Sequence, residues 1–171
     1  MRILINAGHG GRDTGAVNGT LYERDINKKI ALRLCDCLMD AGHVVTFFQQ
    51  TKSVNDVWRF ENKCDYDMVV SVHCNSFSST SHGHEVLYNV GSTKGKKLAQ
   101  AIQTSLVKTV GLRDRGVKSR DNLCVLKYTK SPAVIVETAF ISNPKEAKLL
   151  NDNPDIFARA IAVGVKNYLK N

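Results

Sequence analysis

Short apolar runs alternate along this chain with longer stretches of helical period. Residues 2–7, 44–48, 68–73, 85–88, 123–126 and 133–137 are rich in Val and Ile and read as strands. Residues 25–41 carry Ile26, Ile30, Leu34 and Leu38 four apart, which is one face of a helix, and Gly42 stands where such a helix stops. Residues 95–110 place Leu98, Ala101, Ile102 and Leu106 on one side. Residues 154–169 open with Pro154 in a first turn and direct Ile156, Ala160, Ile161 and Tyr168 inward. A weaker helical pattern covers residues 54–64. This alternation predicts an α/β fold: one three-layer domain with a mostly parallel central sheet of about six strands flanked by helices. The uninterrupted apolar runs at 68–72 and 133–136 belong at the centre of that sheet, buried on both faces.

No repeat or Pro-rich linker divides the sequence, and the closest thing to a linker is the polar loop of residues 76–83, of about the usual connection length. At 171 residues the chain reads as one domain over 1–171, with no separate second domain and core enough to fold without disulfide staples. Lys and Arg number 24 against 16 Asp and Glu, and the formal charge of +8 favours a polyanionic partner. Nucleic acid is disfavoured, because aromatics are 7% and dispersed instead of forming a stacking surface. No apolar run is long enough for membrane insertion. Met1-Arg2 leads directly into Ile3-Leu4-Ile5, too short for a signal-peptide core, so synthesis in the cytoplasm without a signal peptide is expected. Five cysteines, an odd number without a Cys-x-x-Cys pair, point to reduced, buried thiols. A monomer is expected.

In an open α/β sheet, ligands bind beyond the carboxyl ends of the strands. His9 lies just past the first predicted strand, His73 ends the third, and Glu137 follows Ala133–Val136. Parallel pairing of these strands would bring three metal-capable side chains to one rim. Glu23 reaches the same region from the loop containing Gly8, Gly10, Gly11, Gly15 and Gly19. Two imidazoles and a carboxylate suit catalytic zinc with a fourth position open. Singly, each histidine also reads as a turn residue and Glu23 as an acid favoured by a helix N-terminus. Glu137 is harder to explain without a partner, given the cost of burying a carboxylate.

The run Asn6-Ala7-Gly8-His9-Gly10-Gly11-Arg12-Asp13-Thr14-Gly15-Ala16, followed by Glu23-Arg24-Asp25, resembles the opening motif of the zinc-dependent N-acetylmuramoyl-L-alanine amidases, the Amidase_3 family. The resemblance continues through residues 67–75, Arg115-Gly116-Val117-Lys118 and residues 132–143, and so spans nearly the whole chain. It implies His9, Glu23 and His73 as ligands of one Zn2+, Glu137 as catalytic acid/base, and Asn75 close to the metal and the substrate. The implied substrate is peptidoglycan, cut at the amide between the lactyl group of N-acetylmuramic acid and L-alanine, as in a bacteriophage endolysin that lyses the wall. Anionic wall polymers are implied as a second partner. Asn6-Ala7, Cys74 and Lys52 depart from the family's usual residues without touching the implied ligands.

Other features carry bland readings beside sharper ones. His82 and His84 flank Gly83 in a polar stretch that reads as a solvated loop, a second metal site being the sharper alternative. His43 reads as punctuation between helix and strand, and Lys94, Lys96 and Lys97 as a solvated helix face. Glu85 has a structural or rim role. Arg113, Arg115, Lys118 and Arg120 form a basic cluster suited to anionic wall polymer. The competing functions are a zinc peptidase acting on the stem peptide and a noncatalytic wall-binding module; the second would lack a ligand or the glutamate.

Overall fold

The computed structural model describes residues 1–51, 53 and 55–170. The elements follow as β1 (Arg2–Ala7), β2 (Val17–Asn18), β3 (Leu21–Tyr22), α1 (Glu23–Asp40), β4 (Val44–Gln49), α2 (Asn55–Glu61) and β5 (Met68–Asn75). After these come β6 (His84–Asn89), α3 (Thr93–Val110), β7 (Asp114–Arg120), α4 (Cys124–Tyr128), β8 (Ala133–Phe140), α5 (Pro144–Asp152) and α6 (Pro154–Leu169). Six strands form the central sheet in the order β4-β1-β5-β8-β6-β7, while β2 and β3 make a separate small hairpin. β4, β1, β5 and β8 run parallel; β6 is antiparallel to β8, and β7 is parallel to β6. The starts of β6 and β7 therefore lie at the same rim as the carboxyl ends of β1, β5 and β8.

Strand periodicity divides the core in two. Ile3, Ile5, Val70, Val72, Val134 and Val136 pack with α1, α3 and α6 through Ile30, Leu34, Ile102, Leu106, Phe157 and Ile161. On the other face, Leu4, Val69, Leu87 and Ile135 pack with Val57 of α2 and with Val125 and Leu126 of α4. The three layers match the expected fold, and β5 and β8 hold the two central positions. Among the described residues no helix is long and apolar enough to cross a membrane.

Several expectations are corrected. Residues 123–126 do not form a strand: Leu123 caps α4, whose first residues they supply, because a short apolar run serves one buried helical turn as well as a strand. The sixth strand is instead β7, whose Arg and Lys disguise it; at a sheet edge such charges are tolerated and discourage further pairing. α5 was not anticipated, although Asn143 caps it by accepting the N–H groups of Lys145 and Glu146, with Pro144 in the first turn. The first helix begins at Glu23, two residues before the predicted start. The weaker helix is seen over Asn55–Glu61; Val54, its predicted first residue, and Lys52 lie outside the described residues. All five cysteines are free, but only Cys35 and Cys74 are buried; Cys64 is exposed.

Candidate functional site

One face of the sheet changes character along its length. Past the apolar Leu4, Val69 and Ile135, the same face presents Asn6 and Ser71, whose side chains bond at 2.6 Å, and then His73 and Glu137 at the rim. Register brings these last two together, since His73 pairs with Glu137 between the parallel β5 and β8. Glu85 pairs with Glu137 from the other side, across the antiparallel β6.

Glu23 is the hub of the rim. Placed as the first residue of α1, it is buried, and its Oε2 accepts the Ala16 N–H at 2.9 Å while Oε1 accepts the Cys74 N–H at 3.1 Å. Asn27, one turn along the helix, donates to Oε1 at 3.2 Å and to the Gly8 carbonyl at 3.1 Å. His9 Nε2 lies 3.3 Å from Oε2 and His73 Nδ1 lies 3.2 Å from Oε1. Ligand-capable atoms of His9, Glu23 and His73 all fall within 4.8 Å of one another. Burial alone would push the Glu23 carboxyl up, but the two histidines and the Ala16 N–H hold it well below the usual carboxylate range. The other nitrogen of His9, Nδ1, contacts Asp13 Oδ2 at 2.8 Å, which fixes the ring.

The backbone must be bare for this convergence. A Cβ on Gly8 would sit 2.1 Å from the His73 ring, and one on Gly15 would sit 2.6 Å from Glu23 Oε2. Gly15 also takes φ +63, and His9 itself takes φ +61, a left-handed backbone that turns its ring back over Glu23.

Glu137 stands in a different environment. Its Oε2 is buried without a hydrogen-bond partner among the described residues. Loss of hydration, aided by the nearby charges of Glu23 and Glu85 and opposed by His73 and His9, raises its pKa to about 7. A carboxyl with that value gives and takes protons near neutrality.

The structure thus brings His9, Glu23 and His73 together and places Glu137 beside them. Asn75 lies at the same rim two residues beyond His73, where its Oδ1 accepts the Ser76 N–H at 2.9 Å. The Cys74 side chain is turned to the opposite, buried side with its thiol pushed well up by burial; the residue serves the cluster through its N–H to Glu23, and its thiol contacts Asn27 at 3.4 Å. His84 is corrected: it is no loop residue but a fully buried one opening β6, and no metal group of three residues forms around it among the described residues. Sequence reasoning assigned no role to Asp13 or Asn27. The only local signal was spacing: each lies four residues after the histidine or glutamate it supports.

The N-acetylmuramoyl-L-alanine amidase family, Amidase_3, matches residues 3–167. The N-acetylmuramoyl-L-alanine amidase LytC of Bacillus subtilis (strain 168) is 35% identical over 98% of this chain, and the endolysin of Bacillus phage SPP1 is 35% identical over 95% of it. The chain spans 35% of the length of the first and 62% of the second. The crystal structure of an N-acetylmuramoyl-L-alanine amidase from Clostridium difficile 630 superposes with a TM-score of 0.91 at 31% identity, covering 99% of this chain and 97% of that one. Sequence match, fold and site geometry agree, and the chain belongs to the N-acetylmuramoyl-L-alanine amidase family.

Proposed function

We propose that this chain hydrolyses peptidoglycan at the amide joining the lactyl group of N-acetylmuramic acid to L-alanine, using one Zn2+ held by His9, Glu23 and His73. The observation that carries this reading is the convergence of those three donors beside a carboxyl held near neutrality. The donor set fits the metal: two imidazoles and a buried carboxylate leave a position open, and Asp13 steadies His9 from behind. Bound zinc supplies a Lewis acid that polarises the amide carbonyl and lowers the pKa of water to roughly 7. Glu137 takes the proton from the attacking water and delivers it to the departing alanine nitrogen. Asn75, at the open rim, contacts the substrate.

Synthesis in the cytoplasm and action at the wall, as in an endolysin that lyses bacteria, fit this chemistry. The charge of +8 adds attraction to anionic wall polymers. A monomer suffices, since one chain supplies all four site residues. Digestion of purified peptidoglycan tests the bond cut: new N-terminal alanine is the expected product, and a new terminus elsewhere in the peptide would identify a stem-peptide peptidase instead.

Metal loading carries its own pH signature. The hydrogen bond to Glu23 raises the pKa of His9 to about 9 despite the opposing effect of burial, with Asp13 contributing. Metal must therefore displace a proton below that pH. Zinc affinity is expected to rise at least tenfold per pH unit between about 7 and 8, with at least one proton released at pH 7, the His9 proton being joined by that of the bound water. Calorimetry in buffers of different ionisation enthalpy measures both.

A further inference from the structure

The basic stretch at 113–120 divides in the fold. Arg113 is exposed, whereas Arg115 and Lys118 both turn onto Glu85. The Arg115 Nε–H donates to Glu85 Oε2 at 2.7 Å, and Lys118 Nζ donates to the same oxygen at 2.6 Å. Residues three apart in a regular strand point to opposite faces. Here the register slips between the His84–Asp114 and Val86–Val117 pairs, which leaves an extra residue on β7. Gly116 accommodates the slip with φ +77, and this bulge returns both cations to one face.

Neutralising Glu85 requires one cation, yet two meet a single carboxylate oxygen, so these three side chains sum to +1; the further carboxylate near Arg115, Glu146, is engaged by the Gly83 and Phe140 N–H groups. The cluster lies next to the reacting centre, because Glu85 is buried directly across the strand pair from Glu137. The Arg115 guanidinium carbon lies over the buried Phe140 ring, 4.9 Å from its centroid. Among the described residues, the hydrogen bonds of Arg115 use only Nε, leaving both Nη groups as a planar fork. Arg115 and Lys118 are each about one-third exposed at the rim.

We propose that Arg115 and Lys118 form a subsite for a carboxylate of the substrate's stem peptide, with Glu85 as the buried anchor that aims them. A guanidinium fork matches a carboxylate in two parallel hydrogen bonds, and the ammonium adds an adjacent point charge. The wall peptide carries such carboxylates beyond its first alanine, so a peptide crossing from Glu137 toward β7 would set one against the fork. This inference rests on the amidase reading.

Two soluble muramoyl dipeptides test it, one with a free carboxylate on the second residue and the other with a carboxamide there. The zinc-loaded wild type is expected to show a KM about 10- to 100-fold lower for the free acid, the worth of hydrogen bonds to a charged group, with a smaller change in kcat. Arg115→Gln and Lys118→Gln should each shrink that ratio, and the double variant should remove it. Equal KM values for the two substrates in the wild type overturn the subsite without any variant, and so does a ratio that survives in the double variant. Hydrolysis of neither substrate would remove the subsite together with the amidase reading, whereas equal hydrolysis of both removes the subsite alone.

Discussion

Replacing Glu137 with glutamine is expected to lower the rate of amide hydrolysis by about 10²–10⁴-fold while zinc stays bound. The two effects separate because Glu137 stands outside the His9, Glu23 and His73 donor group. Glutamine keeps the shape of the side chain and loses only the proton transfer. The same substitution should stabilise the metal-free protein, in a manner set by pH. Below about pH 4.5 the carboxyl is protonated in both folded and unfolded chains and costs nothing. Between about 4.5 and 7 the unfolded chain ionises first, and above 7 the folded protein carries the full penalty of a charge with a buried oxygen. That penalty is at most about 3 kcal/mol for a shift of this size. Glu137→Gln should therefore melt higher than wild type at pH 8 and equally at pH 4. Near-normal hydrolysis by the variant would remove Glu137 from the mechanism.

Glu23→Ala should be the most damaging change to the cluster, abolishing both zinc binding and hydrolysis and destabilising the fold by about 3–5 kcal/mol. The alanine leaves the N–H groups of Ala16 and Cys74 and the amide of Asn27 without their acceptor. It also strips the two imidazoles of the anion between them. His73→Ala should lose zinc with a smaller loss of stability, because the Glu23 backbone bonds survive. In the metal-free protein the Glu23→Ala deficit should be fullest between about pH 4.5 and 6.5. It fades at lower pH as the depressed Glu23 carboxyl takes up its proton, and toward pH 9 as His9 loses its own. Urea unfolding in chelator across this range measures the profile. Wild-type stability in Glu23→Ala would overturn the view that this carboxylate organises the rim.

Much of this architecture was legible in local patterns. The four-residue spacing of Ile26, Ile30, Leu34 and Leu38 is a helical face in any context, and all four are buried. The unbroken apolar runs of β5 and β8 required a central position and have it. Errors fell where local pattern is ambiguous. Leu123 to Leu126 are apolar enough for a strand but end in a helical turn, and the charged β7 pairs because β6 offers an edge. His84, read among serines and glycine, is fully buried, since burial depends on what packs over a residue and not on its neighbours in sequence.

The sequence by itself determined the layers and, through its motifs, named the candidates His9, Glu23, His73 and Glu137; it also put glycine at positions 8 and 15, where a Cβ would strike His73 and Glu23. Only the tertiary structure decided how these residues meet. The pairing of His73 with Glu137, the reversal of β6 that sets Glu85 opposite Glu137, and the slip at Gly116 that turns Arg115 and Lys118 to one face are all matters of register. Periodicity within a strand states which face a side chain occupies. Which partner it faces is set by hydrogen bonds between segments some 30 to 65 residues apart, and those bonds settle only when the whole core packs.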